Sequence, residues 1–127
     1  MKAIVEKLKT LEKKISSEKG PFLLFALFLR EDASEVWDIL VSASWATKDK
    51  TLALQYISKQ LNKKLSPNQM LKLSRIVIIE PNDPALDVMH KTIQIEHGTA
   101  EFKDCNFFGL QIRHAFLITS KRRTLIS

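Results

Sequence analysis

Three histidines, one cysteine and a scatter of carboxylates are the residues of this chain best suited to chemistry. His90, His97 and His114 include no pair at the i, i+4 spacing that sets two imidazoles on one helix face to hold zinc. Glu96 beside His97 is the best polar pairing, and with a distant carboxylate these two could form an imidazole–carboxylate metal site. The plainer reading makes His97-Gly98-Thr99 a surface turn. His114 falls in register with Leu110, Ile112 and Phe116, so it reads as a hydrogen-bonded, neutral histidine at the core margin. Cys105 becomes a nucleophile only if a base or a positive charge stabilises its thiolate. Lys103 favours that and Asp104 opposes it, so the thiol reads as incidental. A single cysteine excludes an internal disulfide and any zinc site built on two or more thiolates, and it suits a reducing compartment.

Asp83 and Glu101-Phe102-Lys103 resemble the acidic residue and Glu-x-Lys tripeptide of restriction-endonuclease-like nucleases, whose carboxylates hold magnesium while the lysine helps activate water. The match is poor. A helix separates the two elements where that family has successive strands, and Asp83 is explained as a helix cap. With glycine only at positions 20, 98 and 109, neither a phosphate loop nor a dinucleotide fingerprint can form, and no Gly-x-Ser-x-Gly elbow occurs. No catalytic residue, metal or cofactor is therefore assigned. An enzyme remains an alternative if loops bring His97, Glu96, Asp83 and Asp32 into one cleft.

Twenty Lys and Arg against fourteen Asp and Glu leave a net charge of +6, which favours acidic partners. Lysines cluster between Lys48 and Lys72, and Lys59 and Lys63 share one face of a basic helix spanning 47–65. They are the candidates for contacts to a nucleic-acid backbone. The competing reading is a solvated face, since a helix that buries one stripe exposes the others. Trp37, Trp45, Phe107 and Phe108 are the candidate anchors for a protein partner or a second copy of the chain. The leading expectation is a noncatalytic binding or protein-interaction domain that associates with itself or another protein, with nucleic-acid binding and an enzyme as alternatives.

The elements that must position these groups follow from periodicity. Ile4, Leu8, Leu11 and Ile15 form one helical stripe, and Gly20-Pro21 ends the helix. Phe22–Leu29 is apolar on both faces, as expected of a central strand, and its eight residues fall well short of the about twenty a membrane helix needs. A six-residue loop, 30–35, then leads to a strand over Val36–Trp45 that should lie antiparallel to it. Leu54, Ile57, Leu61 and Leu65 mark the second helix, and Ser66-Pro67-Asn68-Gln69 caps a short third one. Arg75–Glu80 is a β-branched strand, and Asp83-Pro84 starts a helix carrying Leu86, Val88 and Met89. Ile93 and Ile95 alternate like a strand, Ala100 and Phe102 like another. The last is one long strand on which Phe108, Leu110, Ile112, Phe116 and Ile118 share a face and Gly109 allows a bulge. The sum is a single α+β domain, residues 1–120, with a mainly antiparallel sheet of about five strands, three to four helices and a basic tail over 121–127.

Leu73-Ser74-Arg75-Ile76-Val77, Asp83-Pro84-Ala85-Leu86 and Asn106-Phe107-Phe108-Gly109, with a strand ending near Ala115, resemble a group of small bacterial proteins of unassigned activity. The resemblance covers most of the chain and implies a bacterial, cytoplasmic protein; it transfers no catalytic residue. Glu6, Glu12 and Glu18 interrupt the N-terminal stretch, which lacks the apolar centre of a signal peptide.

Overall fold

A computed structural model describes residues 1–32 and 35–122, so part of the loop after the first strand and positions 123–127 of the expected tail lie outside the described residues. Helix α1 (Lys2–Lys19) buries Ile4, Val5, Leu8, Leu11 and Ile15, the stripe expected from the sequence, and with it Glu12. It stops at Gly20, whose φ of 123° is readily open only to glycine and whose missing Cβ leaves room for Trp45 Cδ1, 3.2 Å from where that atom would sit.

Strands β1 (Leu24–Arg30) and β2 (Trp37–Ser42) are antiparallel neighbours. The second is shorter than expected. After Ser42 the chain turns into a 3-10 helix, Ser44–Thr47, which takes Trp45 out of the sheet. Helix α2 (Lys50–Lys64), capped by Asp49, and the four-residue α3 (Pro67–Met70), closed by the Ser66–Gln69 capping box, form a crossover. That connection is long enough for β3 (Leu73–Ile78) to return parallel to β2. Helix α4 (Pro84–Thr92) carries the chain back over the sheet to β4 (Ala100–Phe107) and β5 (Leu110–Ser120). The sheet order is β3-β2-β1-β5-β4, antiparallel except between β2 and β3.

Two apolar layers result. On one face Leu27, paired with Ile39 and Phe116, meets the stripes of α1 and α2. On the other, Ala26, paired with Leu40 and Leu117, meets Leu86 and Met89 of α4. The central strand is therefore buried on both sides, as its continuous apolar run requires. Helix α4 has nine residues, and the rest of its face is covered by aromatic rings instead: Phe107 stacks on Phe28 at 5.5 Å, and Phe108 lies 6.3 Å from the same ring.

Three expectations need correction. The polar stretch 103–106 lies within β4, and the turn falls at Phe108-Gly109, where both residues take positive φ (56° and 72°) as a two-residue hairpin with strand-like twist requires. Gly109 is thus a turn residue, and Ile112 packs on the face opposite Phe116 and Ile118. Ile93 and Ile95 make no strand of their own; Ile95 forms one isolated bridge with Ser120. Among the described residues, no helix is long and apolar enough to cross a membrane.

Candidate functional site

The structure joins His97 to Glu12, a distant carboxylate that the sequence did not single out, and keeps Glu96 near its other ring nitrogen. Glu12, fully buried on α1, receives His97 Nδ1–H at 2.5 Å on Oε1 and Thr119 Oγ1–H at 2.8 Å on Oε2. The His97 backbone N–H in turn donates to Thr119 Oγ1 at 3.2 Å, and His97 holds a left-handed φ of 53°. A buried carboxylate needs such partners, because desolvating an uncompensated charge costs several kcal/mol. The trio clasps α1 to β5 and to the segment before β4. Glu96 stands 3.9 Å from His97 Nε2, whereas Asp32 pairs with Arg30 at the opposite end of β1, and Asp83 caps α4 through Ala85 N–H. The four-residue cleft considered from sequence is therefore not assembled. Glu12 lies four residues after Leu8, within the buried stripe, and that helical offset was the signal that could have marked it.

The remaining candidates are placed as follows. His114 Nε2 and Glu101 Oε2 are 2.6 Å apart at the core margin, with the imidazole against Trp37 and Phe116. Glu101 is thus engaged away from Asp83, and the nuclease-like arrangement is absent from these described residues. Burial pushes the Cys105 thiol up, and the Asp104 charge adds to that, against the lowering effect of a backbone hydrogen bond; the thiol form dominates at neutral pH. No three His, Cys, Asp or Glu side chains converge as a metal site among the described residues. Trp37 is buried, and Trp45 donates its indole N–H to Gly20 O at 3.0 Å while packing on Phe22 and Tyr56. Lys59 and Lys63 are exposed on α2.

A different cluster of cations converges on a cavity. Where α1 ends, the 3-10 helix begins and β5 runs out, a cavity of about 420 Å³ opens between Lys19, Lys48, Lys121 and Arg122. Phe22 and Trp45 form its apolar wall, Ser44 adds a hydroxyl, and among the described residues no carboxylate lines it. Two of the cations have carboxylates just outside: Lys121 pairs with Glu96 at 3.0 Å and Arg122 with Asp87 at 3.4 Å. All four of these side chains are more than a third exposed, a setting in which an ion pair contributes about 0–1 kcal/mol. A phosphate with several donors can displace such pairs. A further cavity, about 220 Å³ between α2 and β3, is lined mainly by Leu54, Leu61, Met70, Leu73 and Ile76, with Arg75 its one charged group.

Tyr56 belongs to the wall behind Trp45, with Lys19 Nζ 4.7 Å from its ring centroid. Burial and then the hydrogen bond to Glu18 (2.8 Å) push its phenol up to about 12. Since the folded pKa lies above the ordinary value of 10.0, the stability this group contributes is complete below pH 10 and is lost between pH 10 and about 12. Ultraviolet titration of the single tyrosine is expected to place phenolate formation near the upper value, and Glu18→Gln to bring it down; a midpoint at 10 in the unaltered protein would contradict the contact.

Compared with known protein families, curated proteins and solved structures, the chain matches none.

Proposed function

We propose that this protein is a noncatalytic binding domain that takes a phosphate-bearing ligand at the cavity between α1, the 3-10 helix and the end of β5. One observation carries the reading: four cations from three distant stretches of chain surround a single cavity that has an aromatic wall and, among the described residues, no carboxylate lining. Clustered cations raise the local concentration of anions and stabilise them at close range, and the Trp45 indole and Pro21 supply apolar surface for the remainder of a ligand. The net charge of +6 adds long-range attraction. Of the basic stretch expected on residues 47–65, Lys48 lines this cavity, whereas Lys59 and Lys63 do not. The resemblance to small bacterial proteins and the lone cysteine support a cytoplasmic setting.

Self-association or docking of another protein has less support as the principal role. Trp37 and Trp45 are engaged within the fold, and Phe107 and Phe108 close the second apolar layer over Phe28. The largest exposed apolar side chains, Leu52, Leu71, Val88 and Leu110, come from separate elements. Scattered apolar residues of this kind are ordinary on a monomer.

The test is binding of a short single-stranded oligonucleotide, used as a carrier of phosphates, across a salt series. With three or four phosphates neutralised, the logarithm of affinity is expected to fall against that of salt with a slope of about −2 to −3. Binding that does not change with salt, or no binding at low salt, would remove the proposal.

A further inference from the structure

A second cavity adjoins the basic one. It measures about 240 Å³, shares Leu23 and Arg122 with its neighbour, and differs from it in chemistry: Asn82, Asp87 and His90 supply its hydrogen-bonding groups. We propose, on the basis of the phosphate-binding reading above, that the ligand is a sugar phosphate whose phosphate occupies the basic cavity and whose hydroxyls occupy the adjoining one.

His90 is buried, and its Nε2 lies 2.8 Å from Leu23 O. A carbonyl only accepts, so Nε2 carries the hydrogen, which leaves Nδ1 as the nitrogen this cavity-lining residue can offer a ligand. Asp87 is divided between two cations: Lys91 Nζ holds Oδ2 at 3.2 Å, and Arg122 holds Oδ1 at 3.4 Å. Arg122 stands at the junction of the two cavities. When its guanidinium turns to a phosphate, Oδ1 is released to accept from a hydroxyl while Lys91 keeps Oδ2 in place. The Asn82 amide both donates and accepts. A carboxylate, an imidazole acceptor and an amide together suit a polyol, whereas a second phosphate would be repelled by Asp87. The cations on one side and the acceptors on the other thus select an anion joined to a hydroxyl-bearing group over inorganic phosphate or a polyphosphate.

The discriminating experiment is calorimetric titration of the full chain with inorganic phosphate and with ribose 5-phosphate. Ribose 5-phosphate is expected to bind at least about tenfold more tightly, the gain of one or two hydrogen bonds to charged or buried groups. Asp87→Asn and Asn82→Ala, both at exposed positions, are expected to abolish that advantage. Asp87→Asn should leave phosphate binding unchanged or stronger, because it also removes the carboxylate that competes for Arg122. Equal affinity for the two probes, or an advantage that survives both substitutions, would overturn the sugar-phosphate assignment and leave the phosphate site standing. Absence of binding by either probe would overturn the sugar-phosphate assignment, and failure of the oligonucleotide to bind would remove both. Adenosine 5′-monophosphate keeps both ribose hydroxyls free, whereas a single strand esterifies the 3′ one to a further phosphate, and whichever binds more tightly identifies the source as free nucleotide or nucleic acid.

Discussion

Replacing His97 by alanine is expected to cost about 3 kcal/mol or more of folding stability, the penalty for stranding a buried charge when its partner is removed. Glu12 is fully buried, and without the imidazole its carboxylate keeps only the Thr119 hydroxyl. The φ of 53° at position 97 is a left-handed conformation that histidine and asparagine adopt more readily than alanine, so alanine adds a smaller backbone penalty to the lost contact. His97→Asn separates these effects, because asparagine tolerates that conformation but is too short to replace the imidazole at Glu12. Urea unfolding should place both variants well below the parent with an unchanged denaturant slope, asparagine by the smaller margin. Adding Glu12→Leu to His97→Ala should recover part of the loss, because the stranded charge is then gone. A loss under about 0.5 kcal/mol in both single variants would mean that the clasp stabilises nothing beyond ordinary surface contacts.

The second large effect concerns the ligand. Charge reversal of Lys48 and Lys121 together is expected to lower oligonucleotide affinity about a hundredfold, the loss of two phosphate contacts worth roughly tenfold each. Reversal of Lys59 and Lys63 provides the matched control. Each double variant replaces two positive charges with two negative ones and takes the net charge from +6 to +2, so bulk attraction weakens equally in both. The α2 pair is expected to cost no more than about threefold, a nonspecific decrement. If the two double variants lose affinity to the same extent, net charge alone explains binding and the cavity has no special part in it.

Much of this fold was legible because local rules agreed with the final packing. The α1 stripe, the Gly20-Pro21 stop, the Ser66-Pro67-Asn68-Gln69 box and the Asp83-Pro84 start each act within a few residues, and each appears where the sequence placed it. The Phe108-Gly109 turn was hidden because a phenylalanine holds a position usually taken by asparagine, aspartate or glycine. Its strain is offset by packing against Phe28, a contact between residues eighty apart. Trp45 read as strand because alternation continues past Ser42, whereas its indole is drawn to Gly20 O across twenty-five residues of chain.

The candidate site was less legible, for the same reason on a larger scale. Lys19, Lys48, Lys121 and Arg122 come from the end of a helix, the segment before α2 and the end of the last strand, and only the assembled fold brings them together. The lysine-rich helix was conspicuous in sequence because its charges are neighbours along the chain. That proximity along the chain is not convergence on the basic cavity, which neither Lys59 nor Lys63 lines. Glu12 shows the converse: one carboxylate among many in the sequence, it is singled out by its complete burial against His97 and Thr119.

The chain contains two tryptophans, and they give the proposal its most direct test. Trp45 lines the basic cavity and donates its indole N–H to Gly20 O, also on the cavity wall. Trp37 is buried at the other end of the sheet, against His114 and Phe116. Nitrogen–proton correlation spectra recorded while ribose 5-phosphate is added should move the Trp45 indole signal along a saturating curve and leave that of Trp37 in place. A Trp45 signal that stays fixed up to millimolar ligand, or two indole signals that drift together without saturating, would contradict a phosphate-bearing ligand at this cavity.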